Sequence, residues 1–208
     1  FLLANKSSNG IRISNNKNVS ATFNLDSNTY TYAATSADSE YEGLILLQDY
    51  SKKDAGTQDF TKITINITNL TSPEDAKQIL YVYDDQDRII QTNQPVVKGD
   101  SSIEKFFVAK VGDTSYYKTL ADAITAASSG DTVTLLKDCS SERVNLESKC
   151  ITIDLNGNTL TSTSAYGVMF CAKNGHKITV NGTKEGSKLV GTLMVTNGTD
   201  GHIEINGG

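Results

Sequence analysis

Apolar positions in the first half of the chain recur at every second residue. Lys62-Ile63-Thr64-Ile65-Asn66-Ile67-Thr68 is the cleanest case. A period of two puts Ile63, Ile65 and Ile67 on one face of a strand and the Thr and Asn side chains on the other. Val19–Leu25 alternates in the same way, and Gly43-Leu44-Ile45-Leu46-Leu47 is a short continuous apolar run suited to a buried strand. Leu80–Tyr83 and Arg88–Ile90 flank Asp84-Asp85-Gln86-Asp87 and predict a hairpin with a four-residue polar loop. Pro73 suits the first position of a single helical turn at Ser72–Ala76. Short strands, frequent turns and no longer helix predict an N-terminal antiparallel β-sandwich over residues 1–105.

The pattern changes in the second half, residues 106–208. Phe106–Val111 reads as a strand running into a turn at Gly112-Asp113. Thr119 then offers an N-cap, Asp122 follows three residues on, and Leu120, Ile124 and Ala127 share one helical face. Gly130-Asp131 stops that helix, and Thr132–Leu136 starts a strand.

Beyond it the chain repeats. Ile153-Asp154-Leu155-Asn156-Gly157 returns as Ile178-Thr179-Val180-Asn181-Gly182 and as Ile203-Glu204-Ile205-Asn206-Gly207, at intervals of 25 residues. A second set lies between them: Val144 and Leu146, Val168 and Phe170, Leu193 and Val195, at intervals of 24 and 25. A unit this short cannot bury its own apolar face, so copies must stack into a solenoid. The expected inward columns are Ile153–Ile178–Ile203, Leu155–Val180–Ile205 and Val144–Val168–Leu193. Asn-Gly supplies residues able to take positive φ at a sharp corner, and Asn156, Asn181 and Asn206 are expected to stack.

Four segments carry a resemblance: Val108–Thr114, Leu120–Ile124, Gly130–Leu136 and Ile151–Leu160. Together they resemble the opening of the right-handed parallel β-helix (pectin-lyase-like) regions of bacterial cell-surface, adhesin-like proteins. The likeness is close over about residues 107–161 and looser to Gly208. It implies a helix-capped solenoid start, with Leu120, Ile124 and Ala127 covering the first coil. The fold class expected for the whole chain is therefore mainly β. Residues 1–105 resemble no named family. The fold hosts both enzymes and binding scaffolds, so the resemblance specifies architecture more than activity.

Composition narrows the field. The chain has 208 residues, 19 basic against 24 acidic side chains and a net charge of −5. Scattered lysines and negative charge argue against a phosphate-binding surface, so no nucleic acid is expected. No apolar run approaches the roughly 20 residues a spanning helix needs, so no membrane insertion is expected in this segment. A Ser-, Thr- and Asn-rich chain with only 21% charged residues leans towards extracellular β proteins. Cys139, Cys150 and Cys171 are either buried thiols or one disulfide with a spare thiol. No C-x-x-C pair exists, the only histidines are His176 and His202, and no metal centre or cofactor is expected.

Candidate chemistry is thin. Asp154 and Glu204 occupy one repeat position two coils apart, roughly 10 Å at the usual strand spacing, and are expected to point outward into solvent. Arg143 is the solenoid's only arginine and lies near the first coil. Asp84-Asp85-Gln86-Asp87 has the carboxylates for calcium but lacks the glycine and distal glutamate of an EF-hand, and a solvated turn is favoured. Tyr30, Tyr32, Tyr41, Tyr81, Tyr83, Tyr116 and Tyr117 are expected to pack the sheets rather than stack on sugars. No catalytic residue is assigned and the binding residues are unknown. The third repeat ends at Asn206-Gly207-Gly208 without a closing segment, which predicts further coils or an end-to-end contact with another chain. The expectation is a non-enzymatic extracellular surface module, part of a larger bacterial protein, that meets glycans or proteins. The competing expectation is the front of a polysaccharide lyase or glycoside hydrolase whose active site lies beyond residue 208.

Overall fold

The alternation at Lys62–Thr68 becomes burial: Ile63, Ile65 and Ile67 are at most 1% exposed, while Thr64, Asn66 and Thr68 keep contact with solvent. The computed structural model describes residues 2–5, 11–14, 20–27, 29–32, 45–48, 56–72, 79–82, 89–93, 95–142, 144–146, 149–165, 168–172, 175–195 and 200–207. The chain is mainly β. It divides into two units, Phe1–Phe106 and Phe107–Gly208.

The first unit holds β1 (Leu2–Asn5), β2 (Ile11–Ser14), β3 (Ala21–Asp26), β4 (Thr29–Tyr32), β5 (Ile45–Gln48), β6 (Gly56–Asp59), β7 (Ile63–Thr68), β8 (Leu80–Val82), β9 (Ile89–Asn93) and β10 (Val96–Gly99). The pairing described among them is parallel throughout: β1 with β4, β2 with β5 and β5 with β8, β6 with β9, and β3 with β7 and β7 with β10. This corrects the antiparallel pairing expected for residues 1–105. Alternation fixes which face of a strand is buried but not the direction of its neighbour. Asn24 and Asn66, paired across β3 and β7, are 42 residues apart, a separation that needs a crossover rather than a hairpin. The expected hairpin at residues 80–90 is likewise replaced. β8 pairs with β5 and β9 with β6, in different sheets. Residues 84–87 and the expected helical turn at 73–76 lie outside the described residues. A 3-10 helix, Ser101–Phe106, closes the unit and buries Ile103 and Phe106.

In the second unit β11 (Ala109–Val111) and β12 (Ser115–Tyr117) form a short antiparallel pair around Gly112, whose φ of 59° the turn requires. Helix α1 spans Leu120–Ala126. Thr119 is its N-cap: Oγ1 accepts from the Asp122 N–H at 3.0 Å and donates to the Asp122 carboxylate at 2.7 Å. Leu120, Ala123, Ile124 and Ala127 are buried in one apolar cluster with Val133 and Ile153.

Ten strands follow: β13 (Thr132–Leu135), β14 (Cys139–Ser141), β15 (Val144–Leu146), β16 (Ile151–Asp154), β17 (Thr159–Ser162), β18 (Val168–Ala172), β19 (Lys177–Asn181), β20 (Lys188–Val190), β21 (Thr192–Val195) and β22 (His202–Asn206). They form three parallel ladders: β13–β16–β19–β22, β14–β17–β20 and β15–β18–β21. β11 joins the first ladder antiparallel to β13, so that sheet is mixed.

The register differs from the motif spacing. Ile178 pairs with Ile203 as expected, but it faces Ile151 rather than Ile153. The columns are Ile151–Ile178–Ile203 and Val133–Ile153–Val180–Ile205. Val144 pairs with Phe170 rather than Val168, which faces Thr192 across an irregularity in β18. The first correction is a shift of two residues, which leaves every side chain on its expected face. The expected Asn-Gly corner forms with both residues at positive φ only at Asn156-Gly157; Asn181 and Asn206 remain in strands β19 and β22.

Candidate functional site

The outward face of the β13–β16–β19–β22 ladder is built from the residues between the apolar ones. Thr132, Thr152, Thr179 and Glu204 form one column, and Thr134, Asp154, Asn181 and Asn206 the next. Parallel strands repeat such groups at about 4.8 Å. Nδ2 of Asn206 donates to Oδ1 of Asn181 at 3.1 Å, so part of the expected asparagine stack forms. Asn156 does not join it. The shift of two residues carries Asn156 into the corner at φ 49°, where its Nδ2 donates to the Leu135 carbonyl at 3.0 Å and its Oδ1 accepts from Lys184 at 2.9 Å.

Asp154 and Glu204 are also separated. Asp154 stands in the Asn181 column and Glu204 in the Thr179 column, so the expected alignment of the two carboxylates is corrected. Each has a local task. Oδ1 of Asp154 accepts the Asn156 N–H at 2.9 Å and shapes the corner. Glu204 pairs with Lys177, whose hydrogen bond and charge hold the Glu204 carboxyl below its ordinary pKa. Arg143 lies outside the described residues.

The first unit carries a similar polar face. Asn66 Nδ2 donates to Asn24 Oδ1 at 2.6 Å, and Asp26 accepts from Thr68 Oγ1 at 2.7 Å and from Asn69 Nδ2 at 3.0 Å. The Asp26 carboxyl lies below its ordinary range, chiefly through Thr68. Asp100 is lowered too, first by Ser102, whose N–H and hydroxyl both donate to Oδ1, and then by the Asn69 N–H at 2.8 Å.

Among the aromatic candidates, Tyr116 is 2% exposed and packs against Phe107 at 5.6 Å between ring centroids, so its ring offers no platform. Tyr117 is partly buried in the apolar cluster, and its hydroxyl pKa is raised by burial and by Asp131 and Asp122. The side chains of Tyr30, Tyr32, Tyr41, Tyr81 and Tyr83 lie outside the described residues.

Cys139 and Cys150 are free thiols, partly buried. Burial and the Asp138 carboxylate push the Cys139 thiol up. Cys171 lies on β18, outside the described side chains. His202 is exposed on β22 opposite Lys177. Lys118, between β12 and α1, has its ammonium pushed down to about 8 by burial. An open cavity of about 400 Å³ is lined by Leu155, Val180, Gly182, Ser187, Leu189 and Ile205. Ile205, at 58%, is the more exposed of two large apolar side chains at the described surface.

Two contacts were hidden from motif spacing. Lys149 bonds three carbonyls at the end of α1, and Cys150 meets His176. The signal for the second was the alternative 27-residue alignment, Ile151 on Ile178, which brings residue 150 beside residue 177.

Among the described residues, no group of three or more His, Cys, Asp or Glu is placed to hold a metal ion, and no helix is long and apolar enough to cross a membrane. No family model, no curated protein and no solved structure matches the chain.

Proposed function

We propose that the second unit is the helix-capped start of a right-handed parallel β-helix, and that the chain is a non-enzymatic module of the bacterial cell surface or its secreted proteins. In this reading the outer sheet faces meet extracellular glycans or proteins. The observation that carries it is the pair of outward columns, Thr132–Thr152–Thr179 and Asn181–Asn206, in which hydroxyls and amides repeat at strand spacing. Parallel strands joined in this way need crossovers, and crossovers of this kind are right-handed in nearly all proteins. The same logic extends to the first unit, whose described strands also pair in parallel and whose face bears the Asn24–Asn66 and Asp26–Thr68 pairs. Rows of short, mutually bonded polar groups lose little side-chain entropy when a hydroxyl-rich surface lands on them.

The test is a panel of acidic and neutral polysaccharides incubated with the protein, read for both retention and new chain ends. Binding without cleavage, weakened by Thr179→Lys, is expected. New reducing or unsaturated ends overturn the non-enzymatic reading in favour of a polysaccharide-degrading enzyme. Silence across the panel overturns glycan binding and leaves a protein ligand or a spacer.

A further inference from the structure

Cys150 sits between α1 and β16 with its main chain held on both sides. Its N–H donates to Ser129 Oγ at 3.0 Å, and its carbonyl accepts the Gly130 N–H at 2.7 Å. The sulfur faces the neighbouring turn of the repeat. Because Ile151 pairs with Ile178, the first residue of β19 and the one before it lie beside Cys150. The Lys177 N–H donates to Sγ at 3.2 Å, and Nδ1 of His176 lies 3.9 Å away, within reach of a weak sulfur hydrogen bond. The thiol is in no disulfide, and both it and the imidazole are partly exposed. A nucleophile beside a base, with a fixed N–H aimed at the atom that gains charge, is the arrangement that activates a thiol.

We propose that Cys150 is a nucleophilic thiol served by His176 as its base, and that it is a site of modification by small soluble disulfides. The S–H proton passes to Nδ1 of His176, and the sulfur attacks one sulfur of the disulfide. The new bond to Cys150 forms as the old S–S bond breaks, and the departing thiolate takes a proton from the imidazolium. The Cys150 sulfur is oxidised to a mixed disulfide and the released thiol is the reduced product, so no other oxidant is needed. The Lys177 N–H steadies the charge on sulfur before the attack. Cys139 is the internal comparison: it is also free, but burial and then the neighbouring Asp138 carboxylate oppose thiolate formation there.

The test treats the whole chain at pH 7 with excess hydroxyethyl disulfide and follows each cysteine by peptide mass mapping. Cys150 is expected to react at least about tenfold faster than Cys139, a comparison within one molecule that needs no variant. His176→Gln is expected to slow Cys150 by about tenfold, since an unassisted thiol is only a few per cent thiolate at pH 7, and to leave the Cys139 rate unchanged. Equal rates at the two cysteines overturn the proposal. So does a Cys150 rate that His176→Gln, folded by circular dichroism, does not alter. Should that variant unfold, His176→Asn, mapped in the same way, decides.

Discussion

Lys149 Nζ lies 2.6 Å from the Ile124 carbonyl oxygen and donates as well to the carbonyls of Thr125, at 2.9 Å, and Ala127, at 2.7 Å. One ammonium thus satisfies three acceptors that the end of a seven-residue helix leaves without intrahelical partners. The charge also suits the negative end of the helix. A helix this short is marginal by itself, so its stability must come from caps and packing. Thr119 at one end and Lys149 at the other supply the caps, and the Leu120, Ala123 and Ile124 face supplies the packing.

Lys149→Met is accordingly expected to cost about 1.5–3 kcal/mol, since hydrogen bonds to a charged group are worth roughly that much. Urea unfolding followed by far-UV circular dichroism measures it. A loss below about 0.5 kcal/mol would show the three bonds to be solvent-screened and of little account.

Gly99→Ala tests a close approach in the first unit. A Cβ at this position would overlap the Ile67 carbonyl oxygen and stand 2.6 Å from Cδ1 of Ile103. Relief requires β10 to move off β7, because the nearest obstacle is backbone. The variant is expected to lose about 3 kcal/mol or more, or to fail to fold. Wild-type stability in Gly99→Ala would place β10 wrongly.

Asp26 and Asp100 set the acid behaviour of the first unit. Both carboxyls are held below their ordinary values in the folded chain, so their contribution is fully present above the unfolded aspartate pKa of about 3.9. It is lost as pH falls through the lower folded values. Stability measured at pH 5 should exceed that at pH 2.5, and Asp100→Asn should reduce the difference. An unchanged pH dependence in that variant would show that Asp100 binds its three donors no better as a carboxylate than as an acid.

Lys118 works in the opposite range. Its folded value of about 8 lies below the ordinary lysine value near 10.4, so burying its charge opposes folding below pH 8. That cost disappears as pH rises from 8 towards 10.4. Lys118→Met should therefore be more stable relative to wild type at pH 7 than at pH 10. Comparing the two proteins at each pH cancels Cys139, whose raised thiol favours folding less as pH climbs. A constant difference would place the ammonium in water.

The sequence made local structure legible wherever a short stretch carries its own rule. Thr119 and Asp122 announced the start of α1, and Ile63, Ile65 and Ile67 announced their buried face. Partnership was less legible, because it depends on residues far away. The period in β7 is the same for a parallel or an antiparallel neighbour, so the direction of the β3 and β10 pairings was not written there. The repeated Ile-x-x-Asn-Gly located the strand ends, yet only Asn156-Gly157 takes positive φ at both residues, while Asn181 and Asn206 stay in β19 and β22. Cys150 and His176 carry no motif and meet only through that register.

The two-residue slide between β16 and β19 has a consequence for how such a chain tolerates change. Because Ile151, not Ile153, sits on Ile178, one turn spans 27 residues where the next, Ile178 to Ile203, spans 25. Turn length is therefore elastic, and the quantity under constraint is parity. Insertions that lengthen a corner leave the stack intact, whereas one residue added inside β16 would drive Thr152 and Asp154 inward and Ile153 out into water. Corners of this kind are where length and new chemistry can accumulate without cost to the ladder, and the strands are where they cannot.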